Sequence, residues 1–564
     1  MDPGAQDDGG TEAPSAAGKG APHVPISFDR AYLCRRMDAV ASPLPPAFAA
    51  WFASRGWSVR PHQLALLEEA RAGRSTLLVA PTGAGKTLAG FLPSLVELTE
   101  RGGEREGLHT LYVSPLKALA VDIARNLETP IREMGLAVKV ETRTGDTSPA
   151  KRARQIERPP DILLTTPEQL ALLVSHRDAK PFFANLRRVV LDELHALVTS
   201  KRGDLLSLDL ARLRGLAPRM SAVGLSATVR EPADLQAYLG GAGTPSGLVT
   251  VRGGAKAQIG IMHTSRRLPL AGHITAHAVG DIYAAIQAHR LTLVFVNTRM
   301  QAEFMFQALW SVNEETLPIA LHHGSLDVGQ RRRVEKAMEA NALRAVVATS
   351  TLDLGIDWGD VDLVVHVGAP KGASRLAQRI GRSNHRMDEP SRAILVPANR
   401  FEVLECRAAL DANYLGAQDT PPLAEGALDV LAQHVLGAAC AEPFDAGDLL
   451  EEIRSAAPYA ELDAPTFERV VDFVATGGYA LRSYERYARI RQMADGRWRV
   501  ANPRIAQQYR LNVGTIVEAP MLKVRLTRHR GRGGNVRGGP VLGEIEGYFV
   551  ETLAQGDTFL FAGN

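Results

Sequence analysis

The sequence holds only three cysteines in 564 residues, Cys34, Cys406 and Cys440. They are odd in number and far apart, which excludes a disulfide framework or a cysteine-built zinc site and fits a reducing cytosol. No apolar run approaches a membrane span and no charged-then-apolar N-terminus marks secretion, so a cytoplasmic location without a membrane partner is expected. Excess charge is scarce too: 65 Lys and Arg face 62 Asp and Glu, a formal net charge of +3. That balance is too small to argue for nucleic acid by itself, so such a claim must rest on local patches and motifs. Residues 1–24 have almost no large apolar side chains and are rich in Gly, Ala, Pro and Asp. They bury too little surface to offset ordering entropy, and residues 1–36 are read as a disordered tail, with Met37 as an alternative translation start. One hydrophobic core rarely serves more than roughly 250 to 300 residues, so three or four domains are expected.

What is present centres on Ala80-Pro81-Thr82-Gly83-Ala84-Gly85-Lys86-Thr87, between an apolar run at 76–79 and an apolar segment at 88–98. Strand, glycine loop and helix make the context of a phosphate-binding loop. Backbone N–H groups released by glycine point into a concavity at a helix N-terminus, whose dipole favours an anion. Lys86 then reaches the β and γ phosphates of ATP, and the Thr87 hydroxyl ligates Mg²⁺. The strict pattern asks for glycine where Ala80 stands.

From about 51 to 250 short apolar strands alternate with helical segments, the strands being expected at 76–79, 110–113, 138–141, 162–164, 189–191 and 222–225. This is the α/β pattern of a parallel sheet wrapped by helices, in which ligands sit at the carboxyl ends of the strands. The strand at 189–191 ends in Asp192-Glu193-Leu194-His195. One acid there, Asp192, can hold Mg²⁺ while its neighbour, Glu193, orients and deprotonates the attacking water. Ser226-Ala227-Thr228 also follows a strand. A second lobe of the same class spans 251–412, after a hinge at Gly253-Gly254, with strands expected at 258–262, 292–296, 319–321, 345–348, 363–367 and 393–396. It has no phosphate loop of its own.

The phosphate loop, Ser114-Pro115-Leu116-Lys117, Thr165-Thr166-Pro167-Glu168, the Asp192–His195 tetrapeptide and Ser226-Ala227-Thr228, in this order, resemble the first motor lobe of a superfamily 2 DExH-box helicase. The resemblance implies two RecA-like lobes at 37–250 and 251–412, and makes Ala80 the usual residue of the loop. It places His195 and Gln378 in the catalytic set and offers Gln63, otherwise a helix-surface glutamine, as the reader of the adenine edge. Residues 349–357 resemble the segment touching both nucleic acid and nucleotide, with Gly355 beside the nucleotide and Asp357 as the ribose-binding acid. Residues 378–386 resemble the arginine-finger segment. Arg382 is the expected finger, while Arg379 and Arg386 are candidates for a second, because Asn384 and His385 replace the usual ending. Hydroxyls, amides and cations at the remaining strand ends, Ser114, Pro115, Lys117, Thr166, Pro167, Asn297, Thr298, Arg299, Gly324, Ser325, Thr349 and Ser350, suit phosphates and sugars and form a row across both lobes.

Residues 413–520 change texture. Leu428, Leu431 and Val435 share a helical face, 446–456 reads as a short helix, and a helix through Phe467, Val470, Val471 and Val474 stops at Gly477-Gly478. A hairpin is expected about Asp495-Gly496. Helices then a hairpin indicate a winged helix, with Trp498 either in the wing core or stacking on a base. Residues 521–564 begin a β-rich domain interrupted by an Arg/Gly loop, and 559–564 read as a strand where the chain stops. Together with the winged helix and the 378–386 segment, this is similar to the Lhr (large helicase-related) family in its bacterial ligase-associated branch, whose members continue further. That resemblance implies a 3′ to 5′ translocase on single-stranded DNA that unwinds DNA duplexes or RNA:DNA hybrids in DNA repair. It also implies a nucleoid-associated monomer working with a DNA ligase and nuclease. An RNA helicase with the same motor, a protein-remodelling ATPase and a nucleic-acid clamp remain open on the residues alone.

Overall fold

The computed structural model describes residues 44–564 apart from 82, 103–106, 228, 242, 252–254, 273, 354–360, 385–388, 418, 420, 479–480, 482–486, 516–520, 528–537, 552, 555 and 563–564. The tail, Met37, the Gly253-Gly254 hinge, Thr82, Thr228, Gly355, Asp357, Arg386 and the Arg/Gly loop lie outside the described residues.

Strands β1 (Thr76–Val79), β2 (Thr110–Val113), β3 (Val140–Arg143), β4 (Ile162–Thr165), β5 (Arg188–Leu191), β6 (Ser221–Ser226) and β7 (Gly247–Thr250) form one parallel sheet, ordered β3-β4-β2-β5-β6-β1-β7. Its side chains alternate between two cores. Leu78, Tyr112 and Val190 enter one, and Leu77, Val79, Leu111, Val113, Val189 and Leu191 the other. Helices cover both faces, which is why central strands such as β1, β2 and β5 read as near-continuous apolar runs. Fully burying each Leu or Val contributes about 1.5–3 kcal/mol.

The second sheet, also parallel, contains β8 (Gln258–Ile261), β9 (Thr292–Phe295), β10 (Ile319–His322), β11 (Ala345–Ala348), β12 (Leu363–Val367) and β13 (Arg392–Val396), ordered β10-β11-β9-β12-β13-β8. It too lies between two cores. Two strands depart from expectation. β3 starts at Val140 rather than 138, and β7 carried no strand signal because it is an edge strand with a mostly half-buried face.

Helices Leu428–Ala441, Ala446–Arg454 and Ala464–Thr476 follow, the last closed by Gly477 at φ 80°. The hairpin β14 (Ile490–Gln492) and β15 (Trp498–Val500) turns at Asp495-Gly496. A further helix, Pro503–Asn512, is capped by Asn502. Leu431, Val435, Phe467, Val470, Val471 and Val474 share one core with Ala171, Leu205, Leu208 and Ala211 of the first lobe. The winged helix is therefore packed onto the motor, and half-buried Trp498 lies against that core, as the wing-core reading requires. An antiparallel pair, β16 (Met521–Thr527) and β17 (Gly538–Glu546), comes next. Residues 559–561, expected as a strand, are irregular, because Phe561 turns inward and is buried instead of pairing along an edge. Among the described residues no helix is long and apolar enough to cross a membrane.

Candidate nucleotide site and nucleic-acid interface

The loop after β1 takes a shape only glycine adopts cheaply: Gly83 and Gly85 have φ of 76° and 72°. Helix Lys86–Glu100 starts at once, so the loop's N–H groups and the helix N-terminus face one concavity. Three residues brace it from below. His62 Nε2 lies 2.9 Å from the Ala84 carbonyl oxygen, and an Arg60 guanidinium N–H donates to the Gly83 carbonyl at 3.1 Å. Gln63 is buried, not on the helix surface: its amide oxygen caps its own helix by accepting from the Arg60 N–H at 2.9 Å. A Cβ at Gly85 would lie 3.5 Å from Gln63 Nε2, so the other end of that amide borders the loop.

Lys86 bends back, donating to the Ala80 carbonyl at 3.0 Å. Desolvation lowers its pKa, Glu193 and Asp192 oppose the shift, and Arg382 reinforces it. Two carboxylates and a guanidinium therefore act on the loop lysine, and the guanidinium comes from the other lobe. Asp192 is buried at the end of β5. It accepts from the Glu193 N–H at 2.9 Å and, through its other oxygen, from the Tyr112 hydroxyl. Burial and the neighbouring Glu193 push its carboxyl up to about 7. Glu193 sits at φ 47°, a left-handed conformation costly for a residue with a Cβ, which turns its carboxylate into the cleft. Thr87, in the first turn of helix Lys86–Glu100, offers a hydroxyl and Asp192, after β5, a carboxylate, the donor types a hard divalent cation takes.

His195 ties the lobes together. Its Nδ1 accepts from the Ala227 N–H at 3.3 Å and lies 3.2 Å from the Ser226 hydroxyl. Nε2 then carries the proton, 3.4 Å from the Glu193 carboxylate and 2.7 Å from the Gln378 amide, whose oxygen is assigned to this contact because Nε2 must donate. Burial lowers the His195 pKa and favours this neutral form. Gln378 and Arg382 lie on and just beyond helix Ala373–Ile380 of the second lobe. Lys86, Asp192, Glu193, His195, Gln378 and Arg382 are thus gathered at one cleft.

Arg379 is not. Its guanidinium is fully buried inside the second lobe, donating to Asp353 at 2.8 and 3.4 Å, meeting His366 Nε2 at 2.8 Å and stacking 4.8 Å over the Phe295 ring. Its contacts hold β9 and β12 together, and it does not reach the cleft as a second finger would.

The nucleic-acid candidates fall at the carboxyl ends of neighbouring strands. Ser114 follows β2 and Thr166 follows its neighbour β4, with the Ser114 N–H bonded to the Thr165 carbonyl at 3.0 Å. Pro115 and Pro167 are buried, whereas Lys117 is exposed beside Asp146 at 3.3 Å. In the second lobe Asn297, Gly324 and Thr349 follow the adjacent strands β9, β10 and β11. Asn297 turns inward to the Ala369 carbonyl at 2.8 Å, and Thr298 caps a helix. Thr349 is buried and Ser350 exposed. Arg299 and Ser325 touch each other, and Ser325 is covered by the chain's own C-terminal hairpin.

Residues 60–235 match the DEAD/DEAH box helicase family, 276–387 the helicase conserved C-terminal domain, and 417–564 the winged helix domain of large helicase-related protein. The chain is 32% identical over 529 residues to the ATP-dependent helicase Lhr-Core of Methanocaldococcus jannaschii, covering 91% of this chain and 60% of that protein. The chain is Lhr-like, its motor lobes matching the two helicase models and its C-terminal part the large helicase-related winged helix. It is 34% identical over 474 residues to the Lhr helicase/probable uracil glycosylase of Mycolicibacterium smegmatis, covering 75% of this chain and 31% of that one. The solved structure of Mycobacterium smegmatis helicase Lhr bound to single-stranded DNA and AMP-PNP matches at TM-score 0.75 and 33% identity, over 85% of this chain and 63% of that chain. The helicase MrfA bound to DNA matches at TM-score 0.69 and 23% identity, a likeness of fold. The chain spans about three fifths of the length of the Lhr-Core relatives it matches.

Sequence reasoning missed several residues in this site. Tyr112 carried a readable signal, an aromatic hydroxyl inside the strand Thr110–Val113, two residues before Ser114. Arg60 and His62 stand in the tetrapeptide that contains Gln63, but nothing local shows that they brace the loop. Asp353 lies inside the 349–357 segment and reads as part of that motif, although its partner Arg379 lies 26 residues away.

Proposed function

We propose that this chain is an ATP-dependent motor that translocates on single-stranded nucleic acid. ATP bound at the loop of the first lobe is completed by Arg382 of the second, closing the lobes on the strand; hydrolysis reopens them and the track steps. Lys86 neutralises phosphate charge, Thr87 and Asp192 hold Mg²⁺, Glu193 activates water, and His195 with Gln378 reports the nucleotide's state across the cleft. Gln63, with the loop residues Pro81, Thr82, Gly83, Ala84 and Gly85, and with Gly355 and Asp357, completes the nucleotide's surroundings. One observation carries the reading: the Gln378–His195 contact at 2.7 Å, beside a lysine that feels both carboxylates of its own lobe and the guanidinium of the other. A phosphate site assembled from two lobes can convert cleavage into relative motion.

The track is DNA, travelled 3′ to 5′, and the work is unwinding of DNA duplexes or RNA:DNA hybrids in DNA repair. A DNA ligase and nuclease are the partners expected for the ligase-associated branch, with the chain acting as a nucleoid-associated monomer. The binding of single-stranded DNA and AMP-PNP by the Mycobacterium smegmatis relative supports the choice of ligands. Strand displacement on duplexes with 3′ or 5′ tails, with DNA or RNA in each strand, tests all of this. Displacement only from 3′-tailed DNA loading strands is expected, and preference for an RNA loading strand or a 5′ tail would refute the assignment.

A further inference from the structure

Arg299 stands in the row of strand-end residues proposed as nucleic-acid contacts, yet its guanidinium is engaged within the chain. One arm donates to the Ser325 hydroxyl and the other to the Glu546 carboxylate at the end of β17. Backbone pairing fixes that carboxylate in place. The Glu544 N–H donates to the Ser325 carbonyl at 2.8 Å, and the Asp327 N–H to the Leu542 carbonyl at 3.0 Å. Leu326 and Gly543 form the bridge between them. Gly543 permits this approach, since a Cβ there would lie 1.9 Å from the Ser325 carbonyl oxygen. The last described residues add a second anchor: Phe561 is buried with its ring 6.2 Å from that of His323, and the Ala562 N–H donates to Glu303.

The hairpin therefore brings a fixed anion to a cation that the track would use. Its hydrogen bond to Arg299 holds the Glu546 carboxyl below the usual carboxylate range, so it is charged at neutral pH. The pair is not sealed off, the Arg299 side chain being 41% exposed and that of Glu546 23%. A carboxylate and a backbone phosphate are alternative partners for the same planar fork of donors.

We propose that Glu546 is a positioning residue for the track, holding Arg299 in competition with a backbone phosphate and so weakening the second lobe's grip at this point. A motor that steps must release each phosphate it holds. A carboxylate fixed beside the cation supplies the replacement partner, so release leaves no uncompensated charge. The inference rests on nucleic acid being the track.

The test is binding of a fluorescein-labelled oligodeoxythymidylate to the 564-residue chain over a range of salt concentrations. Glu546→Gln keeps the shape and removes the charge. It is expected to tighten binding and make the slope of log K against log salt more negative by about 0.7, the release that accompanies one further phosphate contact on a single strand. Glu546→Lys should tighten it further, Glu546→Asp should stay nearer wild type, and the gain from Glu546→Gln should vanish when combined with Arg299→Ala. Unchanged or weaker binding by both Gln and Lys variants at wild-type melting temperature would overturn the proposal. So would a gain that survives Arg299→Ala. If no variant nor the wild type binds the oligonucleotide, the nucleic-acid reading falls and takes the inference with it; wild-type binding indifferent to Glu546 overturns the inference alone.

Discussion

Arg379 and Arg382 are three residues apart, yet their surroundings assign them opposite jobs, and replacing each by alanine separates them. Arg379→Ala leaves Asp353, 3% exposed, without its two-pronged partner and strips the stacking cation from Phe295. Removing one partner of a buried pair costs about 3–5 kcal/mol. Arg375, whose Nε lies 3.1 Å from Asp353, remains and puts the loss at the lower end, about 3 kcal/mol. For a lobe of this size each kcal/mol moves the melting midpoint by about 2–4 °C, so the second lobe's transition should fall by roughly 6–12 °C. Arg382→Ala removes a buried guanidinium that lies at the cleft and donates to the Gln378 carbonyl at 3.4 Å, where Arg379 instead bonds the buried Asp353 carboxylate. Its melting midpoint should fall by less than that of Arg379→Ala while hydrolysis falls by about 10³-fold or more, the lower bound for an arginine finger in other P-loop enzymes. Scanning calorimetry and a steady-state phosphate-release assay on both variants decide the matter. An Arg379→Ala chain that melts like wild type but hydrolyses no ATP would refute the division.

Lys86→Ala and Glu193→Gln should each abolish nucleic-acid-stimulated hydrolysis, the latter by at least about 10²-fold as for loss of a general base, while filter binding still finds salt-sensitive association with DNA. His366 predicts a pH effect: burial and the adjacent Arg379 push its pKa down from 6.5 to about 3. A histidine whose folded pKa is depressed contributes stability present above its unfolded pKa and lost as pH falls from 6.5 toward 3. Between pH 8 and pH 5 the loss is about 2 kcal/mol. His366→Gln, which can still accept from Arg379, should therefore lose less in its melting midpoint than wild type over that interval, and equal losses would contradict the assignment.

Where the sequence was legible, the physics was local. β1, β2, β11 and β12 were readable to the residue because buried parallel strands are short, apolar and bounded by turn-forming motifs. The same reasoning pointed to Lys86, Asp192 and Glu193, which follow apolar strands at short offsets, whereas Arg382 lies beyond a helix and was reached only through the family resemblance. β7 escaped it, since a half-exposed edge strand loses the apolar signal. Arg379 shows the other limit. A short basic run near a motif does not disclose which guanidinium points inward, and only the long-range partners Asp353, His366 and Phe295 decide it. Glu546 was invisible for the same reason, lying 247 positions from Arg299.

In this mechanism hydrolysis is coupled to a strand gripped across two lobes. The most direct test of that coupling is the ATP hydrolysis rate of the purified chain titrated with single-stranded oligodeoxythymidylate. Slow turnover alone and saturable stimulation by the oligonucleotide, lost in Arg382→Ala, are expected. A rate that does not respond to any single strand, DNA or RNA, would contradict the coupling.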